Sequence, residues 1–593
     1  MALKRRGLVI LLSVLGIVLF FMVAASLAVY ALVGGRSASV PANARLTLQL
    51  GGTIAEMTPS DVVSYVSGAR GSTVRGIVDN LRKASVDKRV RSVLLKPTGF
   101  DSPYWGKIQE IRDAVLEFKK SGKPVYAYLE YGTDRDYYLA TAADKVFLMP
   151  SSPLDLTGVA TYELFLRGTL DKVGVTADLH HIGDYKTASN TFTEKTFTPA
   201  HREMDQSLNR DLYDQIVRAI ADGRKKNEAD VRKLLDAGPF LPEDALRAGL
   251  IDDVVYADQV AEKLKSKDAP QEDEVDGEDY GRVTLRSVGL NRGPRIAVIY
   301  VAGTIVGGKS GYDPLEGAVV GSDTLIEYIR KAREDHGVRA IVLRVDSPGG
   351  SAAASDAIWR ELMLARNERG DRPIVVSMSD LAASGGYYIA LPAHIIVAEP
   401  STLTGSIGIF GGKFVTGGLY EKLGANIEST SIGKNAEMNS PARRYNANEL
   451  EKVQEQLQAF YDQFVEKVAT ARHSTPEKID QLAQGRVWTG RQAHENGLVD
   501  ALGGLMNAVE LAKKRAKIPA DSEVELTVYP PARSFFELLA EQLSGSQEAA
   551  MARWTSANFS RNEIEALRAL RGGPSGVFRR GEALALMPFT FVR

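Results

Sequence analysis

Two stretches of the sequence combine a serine with paired glycines, a combination suited to acyl-transfer chemistry. Ala382-Ala383-Ser384-Gly385-Gly386 lies between a predicted strand and a helix-like run. A serine at a helix N-terminus meets partial positive charge, which favours a developing alkoxide or oxyanion, although a helix-capping serine suits the same position. Asp346-Ser347-Pro348-Gly349-Gly350-Ser351 also follows a predicted strand. Its glycines let backbone amides approach a ligand closely, and a plain tight turn is the alternative.

A third candidate, Lys186, lies in a polar stretch, where an isolated lysine is usually just solvated surface. An internal repeat distinguishes it from other lysines, because several short matches recur in order at an offset of 250 residues or close to it. These matches pair Tyr137-Tyr138-Leu139-Ala140 with Tyr387-Tyr388-Ile389-Ala390, Pro150-Ser151 with Pro400-Ser401, Ile182-Gly183 with Ile432-Gly433, and Gly52-Thr53-Ile54 with Gly303-Thr304-Ile305.

The two copies differ in a complementary way at the candidate residues. Ser384 corresponds to Asp134 in the first copy, which therefore has no nucleophile there. Lys186 corresponds to Ala436, so the second copy lacks that lysine. The paired-glycine loop also has no counterpart in the first copy. We interpret the repeat as a duplication in which one active site became divided between the copies.

The elements that must position these residues alternate between strands and helices. Each copy spans about 210 residues, at 45–255 and 295–505, which predicts an α/β architecture with largely parallel sheets. A charged, glycine-broken linker is predicted at 265–292, and the tail, 506–593, is less regular. Strands are predicted at Ile296–Val301, Val338–Val345 and Ile374–Met378, and helices at Ala352–Arg366, Leu450–Thr470, Ser534–Leu543 and Arg561–Arg571.

Composition excludes several classes of protein. The chain has 593 residues and a net charge of −1, which gives no support to a nucleic-acid binder. It contains no cysteine, which removes disulfide scaffolds, thiolate metal sites and cysteine nucleophiles. Seven histidines leave few places for histidine-based chemistry.

The N-terminal end predicts a membrane anchor. Lys4, Arg5 and Arg6 precede a run of 29 residues without a charge, Gly7 to Gly35, which is long enough to span a bilayer. A cleavable signal peptide is the competing interpretation, but its apolar region is usually only about 7–15 residues long. We therefore predict an anchor at 1–36 with a cytoplasmic N-terminus, and with the rest of the chain facing outward.

Other candidate residues are weaker. Gly303–Ser310 matches the phosphate-binding loop pattern, but Gly311, Pro314 and Gly317 follow instead of a helix, so we interpret it as a strand end with a loop. Lys434 competes with Lys186 as a base because it lies two residues before Ala436. His394, a candidate for a histidine triad, comes ten residues after Ser384.

These motifs together resemble the signal peptide peptidase A (protease IV) family of serine peptidases, in its long duplicated bacterial form. The resemblance rests on the paired-glycine loop and Ala383–Tyr388, joined by Thr404-Gly405-Ser406-Ile407-Gly408 and Gly183-Asp184-Tyr185-Lys186. It covers the anchor and both copies. It implies two tandem domains of the ClpP/crotonase-like fold, preceded by one transmembrane helix.

The resemblance also implies a role for each site residue. Ser384 would be the nucleophile and Lys186 the general base of a serine–lysine dyad. Ser406 would orient the lysine amine, and the amides of Gly350 and Gly385 would form the oxyanion hole. Burial between the copies would lower the pKa of the lysine amine from about 10.4. We expect no cofactor and no metal ion in this chemistry, and we expect the Asp184 carboxylate to point away from the amine.

The implied function is a membrane-anchored serine endopeptidase that degrades cleaved signal peptides and other hydrophobic peptides. It would assemble as a homotetramer in the inner membrane, with its catalytic part in the periplasm of a Gram-negative source. Two alternatives stay open: a crotonase-like enzyme that binds acyl-CoA, and an inactive scaffold of the cell envelope. A covalent adduct of a serine-reactive probe on Ser384 would separate the first alternative from the peptidase.

Overall fold

The computed structural model describes residues 39–57, 73–264, 272–313, 317–367, 372–531, 583–587 and 591–592. The predicted anchor at 1–36 and the two predicted tail helices lie outside these ranges. Within them, no helix is both long and apolar enough to span a bilayer.

The first copy is built on a six-stranded parallel sheet. Alternation of β-branched strands with amphipathic helices favours this arrangement, because helices then cover the faces of the sheet. Its central strands are mostly buried. In spatial order the strands are Asp273–Asp276, Ala44–Gly52, Val90–Phe100, Val125–Leu129, Lys145–Leu148 and Asp253–Val254.

The second copy repeats this sheet in the same spatial order, which confirms the predicted duplication and the α/β architecture. Two further strands, Leu403–Gly405 and Val487–Thr489, extend it beside Ile374–Ala383. The repeated strands are Glu525–Tyr529, Arg295–Ala302, Val338–Ser347, Ile374–Ala383, Ile395–Ala398 and Ala501–Leu502.

Equivalent hydrogen bonds recur in the two copies. The Tyr137 hydroxyl donates to the Leu250 carbonyl at 2.6 Å, and the Tyr387 hydroxyl donates to the Leu498 carbonyl at 2.8 Å. All four side chains are buried. The matches that revealed the repeat in the sequence are therefore residues that hold the same packing in both copies.

A third sheet joins the copies. It places Thr176–Ile182 of the first copy antiparallel to Ile409–Val415 of the second, with Ile182 opposite Ile409. Two short two-stranded sheets are also present. In one, Gly132–Thr133 pairs with Leu154–Asp155, and in the other, Thr161–Tyr162 pairs with Phe591–Val592. The third sheet runs in the order Gly311–Asp313, Gly317–Gly321, Thr304–Val306, Gly349–Ser351, Leu584–Leu586, Ile409–Val415 and Thr176–Ile182.

Helices cover the sheets of both copies, and the helices predicted at Ala352–Arg366 and Leu450–Thr470 are confirmed with slightly wider bounds. In the first copy they are Val74–Val86, Gly106–Lys119, Asp134–Ala140, Arg167–Val173, Asn190–Thr193, Pro199–Arg224, Glu228–Ala237, Pro242–Arg247, Ala257–Leu264 and Gly277–Gly281. In the second copy they are Ser322–Glu334, Ala352–Asn367, Gly385–Tyr388, Gly417–Lys422, Ala447–Ala471, Pro476–Leu482, Gly490–Glu495 and Leu505–Arg515. Short 3₁₀ turns occur at Thr187–Ser189 and Leu285–Val288.

Part of the stretch interpreted as a linker belongs to the first copy. Asp273–Asp276 is an edge strand beside Ala44–Gly52, and Tyr280 just after it is fully buried. Edge strands of this kind are short and charged, which discourages pairing with other chains but also makes them resemble linkers in a sequence. The second copy gains its equivalent strand, Glu525–Tyr529, from the region interpreted as tail.

A buried cluster of charged side chains connects the two copies. The Arg344 guanidinium binds both carboxylate oxygens of Glu56, at 2.9 and 3.0 Å, and also contacts Glu110. Arg344 belongs to the second copy and both glutamates to the first. All three side chains are almost inaccessible to water. Charges buried this deeply are tolerated only when they are paired, so the cluster ties the fold of each copy to the presence of the other.

Candidate active site

Ser384 occupies a strained turn between the strand Ile374–Ala383 and the helix Gly385–Tyr388. Its backbone has φ 54° and ψ −112°, which is unusual for a residue with a side chain. Its amide donates to the Gly405 carbonyl at 2.8 Å, and its carbonyl accepts from the Tyr388 amide at 2.8 Å. Such strain persists when the surroundings hold it, and it is typical of functional residues.

Lys186 reaches this turn because the strand that precedes it pairs with a strand of the other copy. The strand Thr176–Ile182 pairs with Ile409–Val415, and the chain then turns at Gly183. The Tyr185 amide donates to the Gln484 carbonyl at 2.9 Å, which holds the loop of the first copy against the second.

The Lys186 amine makes three contacts at the centre of the site. Its Nζ lies 2.8 Å from Ser384 Oγ, 3.0 Å from Ser406 Oγ and 3.1 Å from the Ser406 carbonyl oxygen. All three residues are 0 % exposed. Burial holds the pKa of the lysine amine well below its usual value. Asp184 is exposed and contributes nothing to that shift, as predicted.

Two glycines to which the sequence analysis gave no role of their own shape the channel of the lysine side chain. A Cβ added at Gly485 would lie 2.5 Å from both the Cα and the Cβ of Lys186. A Cβ added at Gly408 would lie 3.2 Å from the Lys186 Cδ. Any side chain at Gly485 would therefore displace the lysine. The closeness of Gly408 to Ser406 in the sequence is the only signal that could have suggested its role.

The paired-glycine loop lies directly against the turn that contains Ser384. Gly349–Ser351 forms a short strand, with φ 103° at Gly349 and φ 151° at Gly350. A Cβ added at Gly349 would lie 2.7 Å from the Gly385 amide nitrogen, and one at Gly350 would lie 2.0 Å from the Ile305 carbonyl oxygen. Only glycine fits at either position, so the loop backbone packs directly against the backbone of Gly385 and Ile305.

A salt bridge that the sequence analysis missed supports the start of this loop. Lys107 of the first copy lies 2.7 Å from Asp346 and 3.2 Å from Asp380, which are both carboxylates of the second copy. Burial raises the pKa of the Asp346 carboxyl to about 6, even though the Lys107 charge opposes the shift. Lys107 therefore holds two strands of the second copy in position from the first.

In the first copy, carboxylates fill the positions that correspond to the site. Asp134, the counterpart of Ser384, accepts hydrogen bonds from the amides of Thr157 and Gly158, both at 3.0 Å. Asp136 accepts from the Gly99 amide at 3.1 Å. These carboxylates accept hydrogen bonds from backbone amides that could otherwise bind an anion. The region of the first copy that corresponds to the site is therefore occupied by the chain's own side chains.

The competing bases lie elsewhere. Lys434 is exposed to solvent. The His394 ring nitrogen Nδ1 accepts from the Ile374 amide, at the end of the strand remote from Ser384. The glycine-rich stretch Gly303–Ser310 contains the strand Thr304–Val306 and is followed by the strand Gly311–Asp313, which supports its interpretation as a strand end with a loop.

One group among the described residues has the composition of a metal site. Ligand atoms of Glu163, His201 and Asp205 lie within 4.8 Å of one another. Burial raises the pKa of the Asp205 carboxyl to about 7 and lowers the pKa of His201 to about 4. Both side chains thus favour their uncharged forms near pH 6.

The family assignment agrees with this geometry. The pattern that defines Peptidase family S49 matches the chain twice, at residues 117–270 and 366–519. This chain is a member of peptidase family S49. Each match covers most of one copy, and Lys186 lies in the first match and Ser384 in the second. The chain is therefore a serine peptidase of the S49 family with two tandem family domains.

Named relatives of this S49 chain cover most of its length. The "Serine protease SPPA, chloroplastic" of Arabidopsis thaliana is 37% identical over 489 residues, which are 81% of this chain and 70% of the relative. The "Protease 4" of Salmonella typhi is 33% identical over 562 residues, 90% of this chain and 88% of the relative. A shorter relative, the "Putative signal peptide peptidase SppA" of Enterococcus faecium, is 36% identical over 197 residues, 33% of this chain and 57% of that protein.

Proposed function

We propose that the chain is a membrane-anchored serine endopeptidase in which Ser384 and Lys186 form a catalytic dyad across the two copies. The observation that carries this proposal is the 2.8 Å separation of Lys186 Nζ and Ser384 Oγ. A nucleophile and a base within hydrogen-bond distance, with the base oriented by a third group, are what activation of a serine requires.

The contacts of the lysine amine suit the neutral form of a general base. A neutral amine has two N–H groups and one lone pair, and Nζ has three neighbours. If the N–H groups donate to the Oγ and the carbonyl oxygen of Ser406, the lone pair faces the Ser384 hydroxyl. Ser406 would thus orient the amine, and burial, which lowers the pKa of Lys186, favours the uncharged base.

The amides of Gly350 and Gly385 are proposed to form the oxyanion hole. Both lie where the glycine loop meets the nucleophile turn, and neither position admits a side chain without a clash. Backbone donors of this kind stabilise the negative oxygen of a tetrahedral intermediate without having to reorganise.

These groups support acyl transfer in two steps. Ser384 Oγ attacks the peptide carbonyl carbon while Lys186 takes the hydroxyl proton, and the same proton passes to the leaving amine as the C–N bond breaks. Water then attacks the ester, with its proton again accepted by Lys186, and the acid product leaves. Both tetrahedral intermediates would use the same two amides.

Hydrophobic peptides are the proposed substrates, including signal peptides after their removal from exported proteins. Buried apolar side chains lie near the site: Met204 and Leu208 cluster with Ala383, and Ala188, two residues after Lys186, clusters with Phe410. One relative carries the name signal peptide peptidase. Signal peptides have an apolar central region of about 7–15 residues, which suits apolar surroundings of this kind.

The proposed location is the inner membrane, with the catalytic part in the periplasm. Its support is the uncharged stretch from Gly7 to Gly35 behind three basic residues. Assembly as a homotetramer is part of the same proposal and rests on the family resemblance.

A single set of variants tests the dyad. The full chain, purified in detergent, is treated with a fluorophosphonate probe and assayed with a quenched fluorescent hydrophobic peptide. The wild type should carry the probe on Ser384 and hydrolyse the peptide, whereas Ser384→Ala should do neither. Lys186→Met should lose turnover, and Lys434→Met, the matched control, should keep it. Full turnover in Lys186→Met would refute the proposed dyad. Turnover of a thioester substrate without a probe adduct on Ser384 would favour the acyl-CoA alternative.

A further inference from the structure

One imidazole and two carboxylates form a cluster in the first copy that the proposed mechanism does not use. Ligand atoms of Glu163, His201 and Asp205 lie within 4.8 Å of one another. His201 is 2 % exposed and Asp205 is 7 % exposed, whereas Glu163 is half-buried. The cluster is therefore closed on the side of the helix that carries two of its members and open to solvent on the side of Glu163.

The helix Pro199–Arg224 brings two of the three groups to one face. The Thr198 hydroxyl accepts from the His201 amide at 3.2 Å, which fixes the start of the helix and places His201 in its first turn. Asp205 comes four residues later, and side chains with this spacing are neighbours on a helix surface. Nε2 of His201 consequently lies 3.8 Å from Oδ1 of Asp205.

Two buried polar atoms of the cluster have no hydrogen-bond partner among the described residues. They are Nε2 of His201 and Oδ2 of Asp205. The 3.8 Å between the two side chains is too long for a hydrogen bond. A buried polar atom without a partner is costly and uncommon, and a cation held by both side chains would satisfy it.

The other ring nitrogen of His201 has a neighbour that can orient the imidazole. The side-chain amide nitrogen of Asn190 lies 3.5 Å from Nδ1 of His201, and Asn190 is itself buried. Rotation of this amide by 180° puts its oxygen in the same place, where it accepts from Nδ1–H and leaves the lone pair on Nε2. Histidines that bind a metal ion usually donate their second N–H in this way, which fixes the tautomer and the ring orientation.

The donor set fits zinc better than the common hard cations. Zn²⁺ binds imidazole nitrogen and carboxylate oxygen at about 2.0–2.2 Å, usually with tetrahedral geometry. Bonds of that length put two ligand atoms about 3.4 Å apart, close to the 3.8 Å between His201 and Asp205. The charge of two carboxylates equals that of a divalent cation. Mg²⁺ and Ca²⁺ take oxygen ligands instead, so an imidazole argues against them.

We propose that Glu163, His201 and Asp205 form a structural Zn²⁺ site. One ion would bind Nε2 of His201 and one oxygen of each carboxylate, with water as the fourth ligand on the exposed side. It would tie the first two turns of the helix Pro199–Arg224 to the chain that follows the strand Thr161–Tyr162. The inference goes beyond the proposed function, because it involves neither member of the dyad.

The part of the helix that zinc would hold also contacts the second copy. Met204 lies between the two helical ligands and packs in a cluster with Ala383, the residue just before Ser384. Glu203 accepts two hydrogen bonds from the Arg486 guanidinium, both at 2.9 Å. A ligand that binds only the folded protein stabilises it, so zinc should raise the melting temperature of the chain.

Zinc binding to the full chain tests the proposal. The protein is made without a histidine tag, purified in detergent, stripped with EDTA and then freed of EDTA. Titration calorimetry with Zn²⁺ should give one ion per chain, and Zn²⁺ should raise the melting temperature. Asp205→Asn, which keeps the size of the side chain, and His201→Gln should each weaken binding by at least about 10-fold and lose the thermal shift. His336→Gln, the matched control with an exposed imidazole, should bind like the wild type.

A further variant tests the orientation of the ring. Removal of a group that orients a metal ligand usually lowers metal affinity by about 10- to 100-fold, so Asn190→Leu should bind zinc within that range of weakening. Unchanged affinity in Asn190→Leu would refute the orienting role of Asn190.

Two other outcomes would overturn the site itself. Equal zinc affinity in the wild type and Asp205→Asn would show that zinc binds elsewhere on the chain, and a thermal shift with Mg²⁺ or Ca²⁺ but none with Zn²⁺ would refute the assignment of the ion. Ser384→Ala should bind zinc like the wild type while losing peptide hydrolysis. Failure of the zinc site and failure of the peptidase mechanism are therefore observed separately.

Discussion

The amine of Lys186 lies 2.8 Å from the hydroxyl of Ser384, although 198 residues separate the two along the chain. Neither copy of the repeat contains both groups. The contact exists because a strand of the first copy, Thr176–Ile182, pairs with a strand of the second, Ile409–Val415, and carries the lysine across. In the proposed mechanism, activity therefore depends on the contact between the two halves of the chain.

Replacing Lys186 by methionine should abolish activity and stabilise the fold. Loss of a general base usually lowers turnover by about 10²- to 10⁴-fold. The native pKa of the lysine is well below its unfolded value, so the wild type must release a proton when it folds at any pH between the two values. Stability of the wild type should therefore rise with pH up to about 10.4 and fall as pH decreases, by at most about 1.4 kcal/mol per pH unit.

Thermal melts of both proteins across pH 6–10 measure this effect. The melting temperature of Lys186→Met should exceed that of the wild type at about pH 7, and the gap should narrow toward about pH 10. Lys434→Met, whose lysine is exposed, should melt like the wild type throughout. A gap that stays constant with pH would mean that the lysine is charged in the folded protein.

The pH profile of kcat/KM should show an acidic limb set by Lys186. The amine acts only when neutral, so activity should rise with pH through its native pKa, which burial holds well below the usual value of about 10.4. Asp184→Asn should leave the limb in place because Asp184 is exposed and does not contribute to that pKa. A profile that rises only above about pH 10 would contradict a buried, neutral base.

Gly485→Ala should inactivate the enzyme by displacing Lys186. The added methyl group would lie 2.5 Å from the Cα and Cβ of Lys186, far closer than a van der Waals contact allows. Gly497→Ala is the matched control, since Gly497 has φ 84° against 80° for Gly485 but no neighbouring atom within 4 Å. Both variants carry the same backbone strain.

Peptide turnover and melting temperature should be measured for both glycine variants. We expect a drop in kcat of at least about 100-fold for Gly485→Ala, comparable to the loss of the base, and near-normal turnover for Gly497→Ala. Equal losses in the two would show that backbone strain, and not the position of the lysine, decides activity.

Arg344→Met should weaken the association of the two copies. It leaves the carboxylates of Glu56 and Glu110 buried without their cation, which usually costs about 3–5 kcal/mol. Arg282→Met removes an exposed pair with Asp279 and should cost at most about 1 kcal/mol. Urea unfolding followed by tryptophan fluorescence gives both values, and a loss below about 1 kcal/mol for Arg344→Met would show that the cluster does not hold the copies together.

Much of this organisation follows from the sequence because duplication leaves a record in residue order. The repeated Tyr137 and Tyr387 marked equivalent buried positions, and the offset of 250 residues predicted two related α/β copies, whose sheets have the same strand order in the structure. The same comparison assigned Lys186 and Ser384 to different copies. The exposed carboxylate of Asp184 could also be anticipated, because a charge beside the amine would oppose its deprotonation.

Other features of the structure could not be predicted from the sequence. The edge strand Asp273–Asp276 resembles a linker, since an exposed edge carries charges whether or not it pairs. Gly485 matters only because the Lys186 side chain passes over it, and these two residues are far apart in the chain. Nothing in the composition of the strand Leu584–Leu586 distinguishes it from the rest of an irregular tail.

The sequence by itself determined which residues could do chemistry, and that they lie in two related halves, because residue types and their spacing are local properties. Only the tertiary structure decided that Lys186 meets Ser384 within hydrogen-bond distance and that Ala585 lies against Gly349. Both contacts depend on the pairing and register of strands distant in the chain, and a shift of one residue turns each side chain to the opposite face. That register is set by packing over the whole core and not by the residues that it brings together.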